Sequence, residues 1–302
     1  MSRIIALVLL GAAGCDAGNY SNEDIDFQLA VPERQDIAVR MPAQALEAAD
    51  APEHYRSTRN TVRSLDGMAE AFIGLIDHVR AFPPSERHEG RRVWGPFPVT
   101  ENPLFVARLV VEKLSLPAEP LHFRYSVEFR LRNDVNGPFA PLLTGEFTPS
   151  ATRRGAGHLT FTSTAARAAG YPLGGLAGVE TLAIEYKTDA FPTSIKVSVV
   201  NFPAKEMAFF EHDEQENGSG SMKFTFPAGG AVLQIHSRWL GSGAGRADLT
   251  VVSAGLDWLV GKRGTDCWSI DARPVYVHRD WPDPAHPEFG MESACAFPAP
   301  AP

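Results

Sequence analysis

The residues with the most chemical capacity lie near the end of the chain. The stretch HRDWPDPAH, positions 278–286, places His278, Asp280, Asp283 and His286 in one proline-rich loop. Mixed nitrogen and oxygen donors of this kind suit zinc. Their spacing is loose, however, so no metal is assigned. The stretch EHDEQEN, 211–217, carries Glu211, Asp213, Glu214 and Glu216. That is carboxylate enough for calcium, which wants six to eight oxygens. It lacks the alternating Asp order of a calcium loop and reads as a solvated hairpin tip. GSGAGRAD, 241–248, has the glycines of a dinucleotide-binding turn. The β-branched run LTVV follows it, where a helix would have to receive the pyrophosphate. It reads instead as a glycine turn that opens a strand. There is no Gly-x-Ser-x-Gly elbow, no phosphate loop after a strand and no His-Glu-x-x-His. The expectation is a protein that is not an enzyme and takes no cofactor.

Composition narrows the partners. The chain has 302 residues, 44% of them hydrophobic, and a net charge of −8. An acidic protein with no basic cluster has no electrostatic reason to seek nucleic acid.

The elements that would position any site are legible from hydrophobic period. Residues 53–81 repeat apolar side chains at steps of three and four: Val62, Leu65, Ala69, Phe72, Ile76 and Val79. This predicts one long amphipathic helix. Asp50 and Glu53 are spaced as a capping box, and Pro83 and Pro84 stop the helix. A shorter helical piece is expected at 42–50. After Pro84 the period becomes two. LHFRYSVEFRLR, 121–132, alternates without a break, with Phe123, Tyr125, Val127 and Phe129 on one face and Arg124, Ser126, Glu128 and Arg130 on the other. Such alternation belongs to an antiparallel sheet with one buried face. Further strands are expected near 105–115, 142–148, 156–163, 180–188, 193–201, 205–211, 220–226, 231–239, 245–253 and 273–279. Gly, Asn, Asp and Pro separate them. STAARAAGYP, 163–172, reads as a short helix or an irregular crossover.

The fold class is therefore α+β and mainly β. A helical segment over 42–84 packs on an antiparallel meander over 93–297, which curls into a barrel or half-barrel. The alternative is a two-sheet sandwich, and 298–302 is an extended tail. A curved sheet of this kind leaves a hydrophobic cavity lined by Phe123, Tyr125, Val127 and Phe129, unless the helix and the 18 phenylalanines fill it.

The N-terminus carries an address. Arg3, the apolar run Ile4–Leu10 and the small residues 11–14 have the pattern of a secretory signal peptide. The run is too short to span a bilayer as a helix. GAAGC resembles the bacterial lipobox, with Ala12, Ala13 and Gly14 before Cys15, although Ala12 stands where that family most often has Leu. The resemblance implies cleavage after residue 14 and lipidation of Cys15; the alternative is an ordinary signal peptide. Asp16 resembles a signal for retention at the inner membrane, and the choice of membrane stays open. Residues 15–41 are polar and acidic and read as a tether. With Cys15 carrying lipid, Cys267 and Cys295 remain, and an even remainder in an exported protein reads as one disulfide. The alternative is two free buried thiols.

SRWLGSGAGRADL (237–249), TDCWSIDARPVYVHR (265–279) and ESACAF (292–297) resemble blocks of uncharacterised lipoproteins of myxobacteria and their relatives. These blocks cover about a tenth of the chain. The resemblance implies an envelope location and the Cys267–Cys295 bridge, and it implies no activity. The expected role is a lipid-anchored structural or interaction module of the cell envelope, folded in the periplasm or at the cell surface. A carrier or sensor of a hydrophobic ligand is the alternative.

Overall fold

The computed structural model describes residues 22–42, 51–80, 82–115, 119–151, 154–201 and 203–300. The signal segment, Cys15, the helical piece at 43–50 and the Asp50 cap lie outside the described residues.

Among the described residues three helices come first: α1 (Asn22–Leu29), α2 (Arg34–Ile37) and the 28-residue α3 (Glu53–Arg80). The meander then begins with β1 (Glu86–His88), β2 (Arg91–Pro98), β3 (Phe105–Lys113), β4 (Phe123–Leu131), β5 (Ala140–Ala151) and β6 (Arg154–Thr162). The short α4 (Thr164–Ala169) intervenes. It is followed by β7 (Val179–Lys187), β8 (Thr193–Asn201), β9 (Met207–Glu214), β10 (Gly220–Ala228) and β11 (Ala231–Trp239). β12 (Gly245–Ala254), β13 (Arg263–Trp268), β14 (Pro274–Arg279) and β15 (Phe289–Gly290) complete it. All fifteen strands form one sheet in chain order, every neighbouring pair antiparallel. The open edges are the three-residue β1 and the two-residue β15, short enough to discourage edge-to-edge pairing.

The sheet curves around α3. The helix touches β2 and β3 near one edge and β11, β12 and β13 near the other. In a flat sheet β2 and β13 would lie about 50 Å apart at ~4.8 Å per strand. A helix of this length is only ~42 Å long. The expected stripe is the buried one, with Val62, Leu65, Ala69, Phe72 and Ile76 all inside. Phe72 meets Phe161 of β6 at 5.3 Å between ring centroids, and Tyr55 meets Trp268 of β13 at 5.1 Å. β4 keeps its alternation, with Phe123, Tyr125, Val127 and Phe129 buried.

Curvature this tight leaves little room on the inner wall, and glycine provides it. A Cβ on Gly145 would lie 2.4 Å from the Tyr125 ring, and one on Gly245 would lie 2.3 Å from the Trp268 ring. Each aromatic ring therefore lies across a glycine of the next strand. Gly245→Val is expected to cost about 1–3 kcal/mol, as overpacking of a filled core does. A urea titration measures it.

The tether reading is corrected over residues 22–41. This stretch forms α1 and α2 and closes one end of the half-barrel. Phe27, Val31, Ile37 and Val39 are buried, and Phe27 packs on Phe123 at 5.6 Å. Asp24 is fully buried and accepts from Arg92 Nε at 2.7 Å and from Arg87 Nε at 3.1 Å. The acidic residues that suggest solubility include the one that docks the segment. The meander also has strands that alternation did not mark, β1, β2, β13 and β15. β2 contains Gly95 and Pro96, and β13 puts Gly264 and Asp266 on the inner wall where apolar residues would have announced it.

Candidate functional site

The meander has two rims. The rim made by the β2–β3, β4–β5, β6–β7, β8–β9, β10–β11, β12–β13 and β14–β15 connections is called the upper rim. α1 and α2 close the lower one. A cavity of about 350 Å³ opens at the upper rim between the C-terminal half of α3 and strands β2 to β6.

Local irregularities make this cavity. β2 shifts register between Trp94 and Phe97, which turns Phe97 to the wall. β5 shifts against β4 between Val127 and Glu128. Leu142 is the extra residue there, and it is buried beside Leu143. A bulge re-aims a side chain in this way. The other walls are made by missing side chains. Gly74 of α3 and Gly174 and Gly175 of the β6–β7 connection line the space, and a Cβ on any of them would meet nothing within 4 Å. Tyr171 closes the side, packed on Phe129 at 4.6 Å and on Phe105 at 5.3 Å. Burial pushes its hydroxyl up to about 12, with the Glu101 carboxylate adding to the shift. Thr100 and Glu101 are polar residues at the lip, and among the described residues no Lys, Arg or His lines the cavity.

Of the four residues expected to line a cavity, Val127 does so. Phe123, Tyr125 and Phe129 are instead packed. Phe123 holds α1, Tyr125 covers Gly145 and donates to the His158 carbonyl at 3.3 Å, and Phe129 backs Tyr171.

A second cluster sits where the start of α3 crosses β13 and β14. Asp266, fully buried, accepts from the His54 backbone N–H at 2.7 Å and from Arg279 Nη1 at 2.8 Å. Thr58 donates to the His54 carbonyl at 2.8 Å and shares a hydrogen bond of 2.5 Å with Ser237 of β11. Outside this layer, His286 Nδ1 lies 3.0 Å from Asp283 and 3.3 Å from Glu53. Arg279 Nη2 lies 3.5 Å from Glu53 and its Nε 3.9 Å from Asp283. Donor atoms of Glu53, Asp283 and His286 fall within 4.8 Å of one another, a spacing a metal could use. Arg279 already supplies positive charge at that point, and the group reads as an ion-pair clasp. The structure divides the four loop residues of the sequence. Asp283 and His286 join Glu53, while His278 pairs with Asp280 at 3.3 Å and with Glu288 at 3.0 Å. Glu211, Asp213 and Glu214 lie within β9, with Glu211 against Lys196, so the hairpin tip is shorter than expected.

The expected pairing of Cys267 and Cys295 is present as a disulfide. Cys267 is the next residue after Asp266, so bridge and clasp act on the same strand.

His212 was not marked by sequence. It faces inward from β9, donates from Nδ1 to the Ser221 carbonyl at 3.0 Å and stacks on Trp239. Its alternation with Phe210 was the available signal. Burial lowers the pKa of both His212 and His54 from 6.5. For His54 the nearby Asp266 and Glu53 oppose the shift, and Arg279 and His286 add to it. A histidine held neutral in the folded state takes up a proton more readily when unfolded. Stability is then full above 6.5 and falls as pH drops through 6.5 toward the lowered folded values. Melting temperature should therefore fall from pH 7 to pH 5, and His212→Gln should flatten that fall; an unchanged slope would contradict the assignment.

Comparison with protein-family models, curated proteins and solved structures finds no match to this chain. The architecture itself defines the class: an open antiparallel meander of fifteen strands packed on one long helix, consistent with a half-barrel or a sandwich, with a largely apolar cavity at the upper rim.

Proposed function

We propose that the protein is a carrier or sensor of a small apolar molecule that binds at the upper rim, and that it works outside the cytoplasm without catalysing a reaction. The observation that carries this reading is the cavity beside Gly74, lined by three glycines and flanked by two register shifts. Its size is at the low end of ligand sites, which run from about 300 to 1,000 Å³. A single small body fits, rather than a two-chain lipid. Among the described residues the lip offers Glu101 and Thr100 and no cation. The ligand's polar end is therefore a hydroxyl or an amine, not a carboxylate, because a second carboxylate beside Glu101 would be repelled. The Cys267–Cys295 bridge supports an oxidising compartment. Lipidation of Cys15 and envelope location remain part of this proposal on the residues around Cys15.

The test is Gly74→Leu. The helix gains a side chain with space to occupy, and losing an interior glycine stabilises a helix by about 1 kcal/mol. The melting temperature should rise slightly while binding of a neutral apolar dye, or of an alkyl alcohol or alkylamine detected by native mass spectrometry, falls at least about tenfold, a loss of ~1.4 kcal/mol. Equal binding by wild type and variant would sink the cavity as the site. Preference for a fatty acid over the matching amine would overturn the role given to Glu101.

A further inference from the structure

The β12–β13 connection, Gly255–Lys262, stands on the same rim as the cavity. Its sequence is GLDWLVGK. Connections between strands are usually polar because they lie in water. This one exposes Leu256 (55%), Trp258 (59%) and Val260 (46%), with Val252 of β12 exposed beside them (48%).

The exposure belongs to an ordered tip. A 3-10 turn over Asp257–Leu259 is closed by Leu259 N–H to Leu256 O at 3.0 Å and Val260 N–H to Asp257 O at 3.1 Å. Gly261 N–H to Val251 O at 2.9 Å and Val251 N–H to Lys262 O at 3.0 Å tie the turn to both strands. Leu259 points back and packs on the core. The backbone thus anchors one apolar side chain inward and holds three outward.

We infer that this tip is an interfacial anchor that dips into a lipid surface and sets the cavity mouth against it. Trp with flanking aliphatic residues is the composition that settles at the boundary between headgroups and acyl chains. Lys262 and Arg263 follow the apolar turn directly, and Asp257 is the one acid between Gly255 and Arg263. That order places cations at headgroup depth when the apolar residues are immersed. Each such cation adds about 1 kcal/mol on an anionic leaflet. Leu104 of the β2–β3 connection and Val135 of the β4–β5 connection are exposed on the same rim. The choice of a lipid surface over a protein rests on the carrier reading, since an apolar cargo exchanges most readily where the mouth meets acyl chains.

Trp258 is the most exposed of the five tryptophans, because Trp94, Trp239 and Trp268 are buried and Trp281 packs on the core. The test uses the oxidised full chain with Cys15→Ser, mixed with vesicles of phosphatidylcholine containing about one-third phosphatidylglycerol and carrying brominated acyl chains. Insertion should shift the emission to the blue and quench it, and Trp258→Phe should remove the quenching while the protein still binds. Leu256→Ser with Val260→Ser should weaken vesicle binding at least about tenfold. Lys262→Gln with Arg263→Gln should weaken it about thirtyfold on the anionic vesicles and little on pure phosphatidylcholine. Circular dichroism melts confirm that each variant is folded. Unquenched Trp258 in vesicle-bound protein, or vesicle binding indifferent to the Leu256 and Val260 changes, overturns the proposal. So does a tip variant that dissolves a dimer without touching vesicle binding, which would assign the tip to self-association. Dye binding in solution is measured on the same samples. Dye binding unchanged by Gly74→Leu while vesicle binding still depends on the tip overturns the cavity reading alone; dye binding lost in Gly74→Leu while vesicle binding is indifferent to the tip changes overturns the anchor alone.

Discussion

Replacing Asp266 by alanine should lower stability by about 3–5 kcal/mol, because it removes the buried, closest partner of the Arg279 guanidinium and leaves only the longer pairs to Glu53 and Asp283. The carboxylate is fully buried and accepts one hydrogen bond from Arg279 and one from the first turn of α3. The His54 N–H would lose its acceptor, and Arg279 Nη1 would keep only the Thr265 and His278 carbonyls. For a domain of this size the melting temperature should fall by roughly 6–20 °C, at about 2–4 °C per kcal/mol. The informative companion is Asp266→Ala with Arg279→Met. Removing both charges together should recover most of the loss, since a buried ion pair adds little over a packed apolar pair of the same volume. If the double variant melts as low as the single, the damage comes from the released helix terminus rather than from the stranded charge. Guanidinium titration of the four proteins closes the cycle.

Breaking the Cys267–Cys295 bridge is the second large effect. Its residues are 28 apart in sequence. A loop of that length contributes about 3.5 kcal/mol through restriction of the unfolded chain. Replacing both cysteines by serine should cost at least that, because Cys267 is buried and a hydroxyl there would need a hydrogen bond. The loss should appear in urea as a lower midpoint, and reduction of the native protein should reproduce it. Asp266 and Cys267 are neighbours on β13, so their effects should not add. A sum within about 0.5 kcal/mol of the separate losses would show that bridge and clasp hold independent parts of the fold.

The reach of the sequence followed the range of the interactions. α3 and β4 were legible because their period depends on neighbours three, four or two residues away. β13 was not, since its inner residues are Gly264, Asp266 and Trp268, and the first two make sense only against α3. α1 and α2 looked like a tether for the same reason. Asp24 reads as a solubilising acid until Arg92, 68 residues away, is placed beside it. The cavity was the least legible feature. Val127 could be named from alternation, but the space is made by Gly74, Gly174 and Gly175 and by two register shifts, and a one-dimensional pattern does not record missing side chains that converge. In the clasp, Asp283 and His286 stood out only as two of four residues in one loop, with His278 and Asp280, while Glu53 looked like a capping residue. Only the crossing of α3 over β14 brings them together.

The chain-order pairing of the meander has a kinetic consequence. Each strand closes on the one made just before it, so the sheet can grow by short, entropically cheap loops. The helix that fills the sheet is made before any of those strands. Its contacts with Ser237 and Asp266 span 179 and 212 residues. Until β11 to β13 exist, the apolar stripe of α3 and the half-built inner wall are both bare, the condition under which growing chains aggregate. Biogenesis of this protein is therefore a waiting problem: its first long element is finished early and finds one of its partners only 212 residues later.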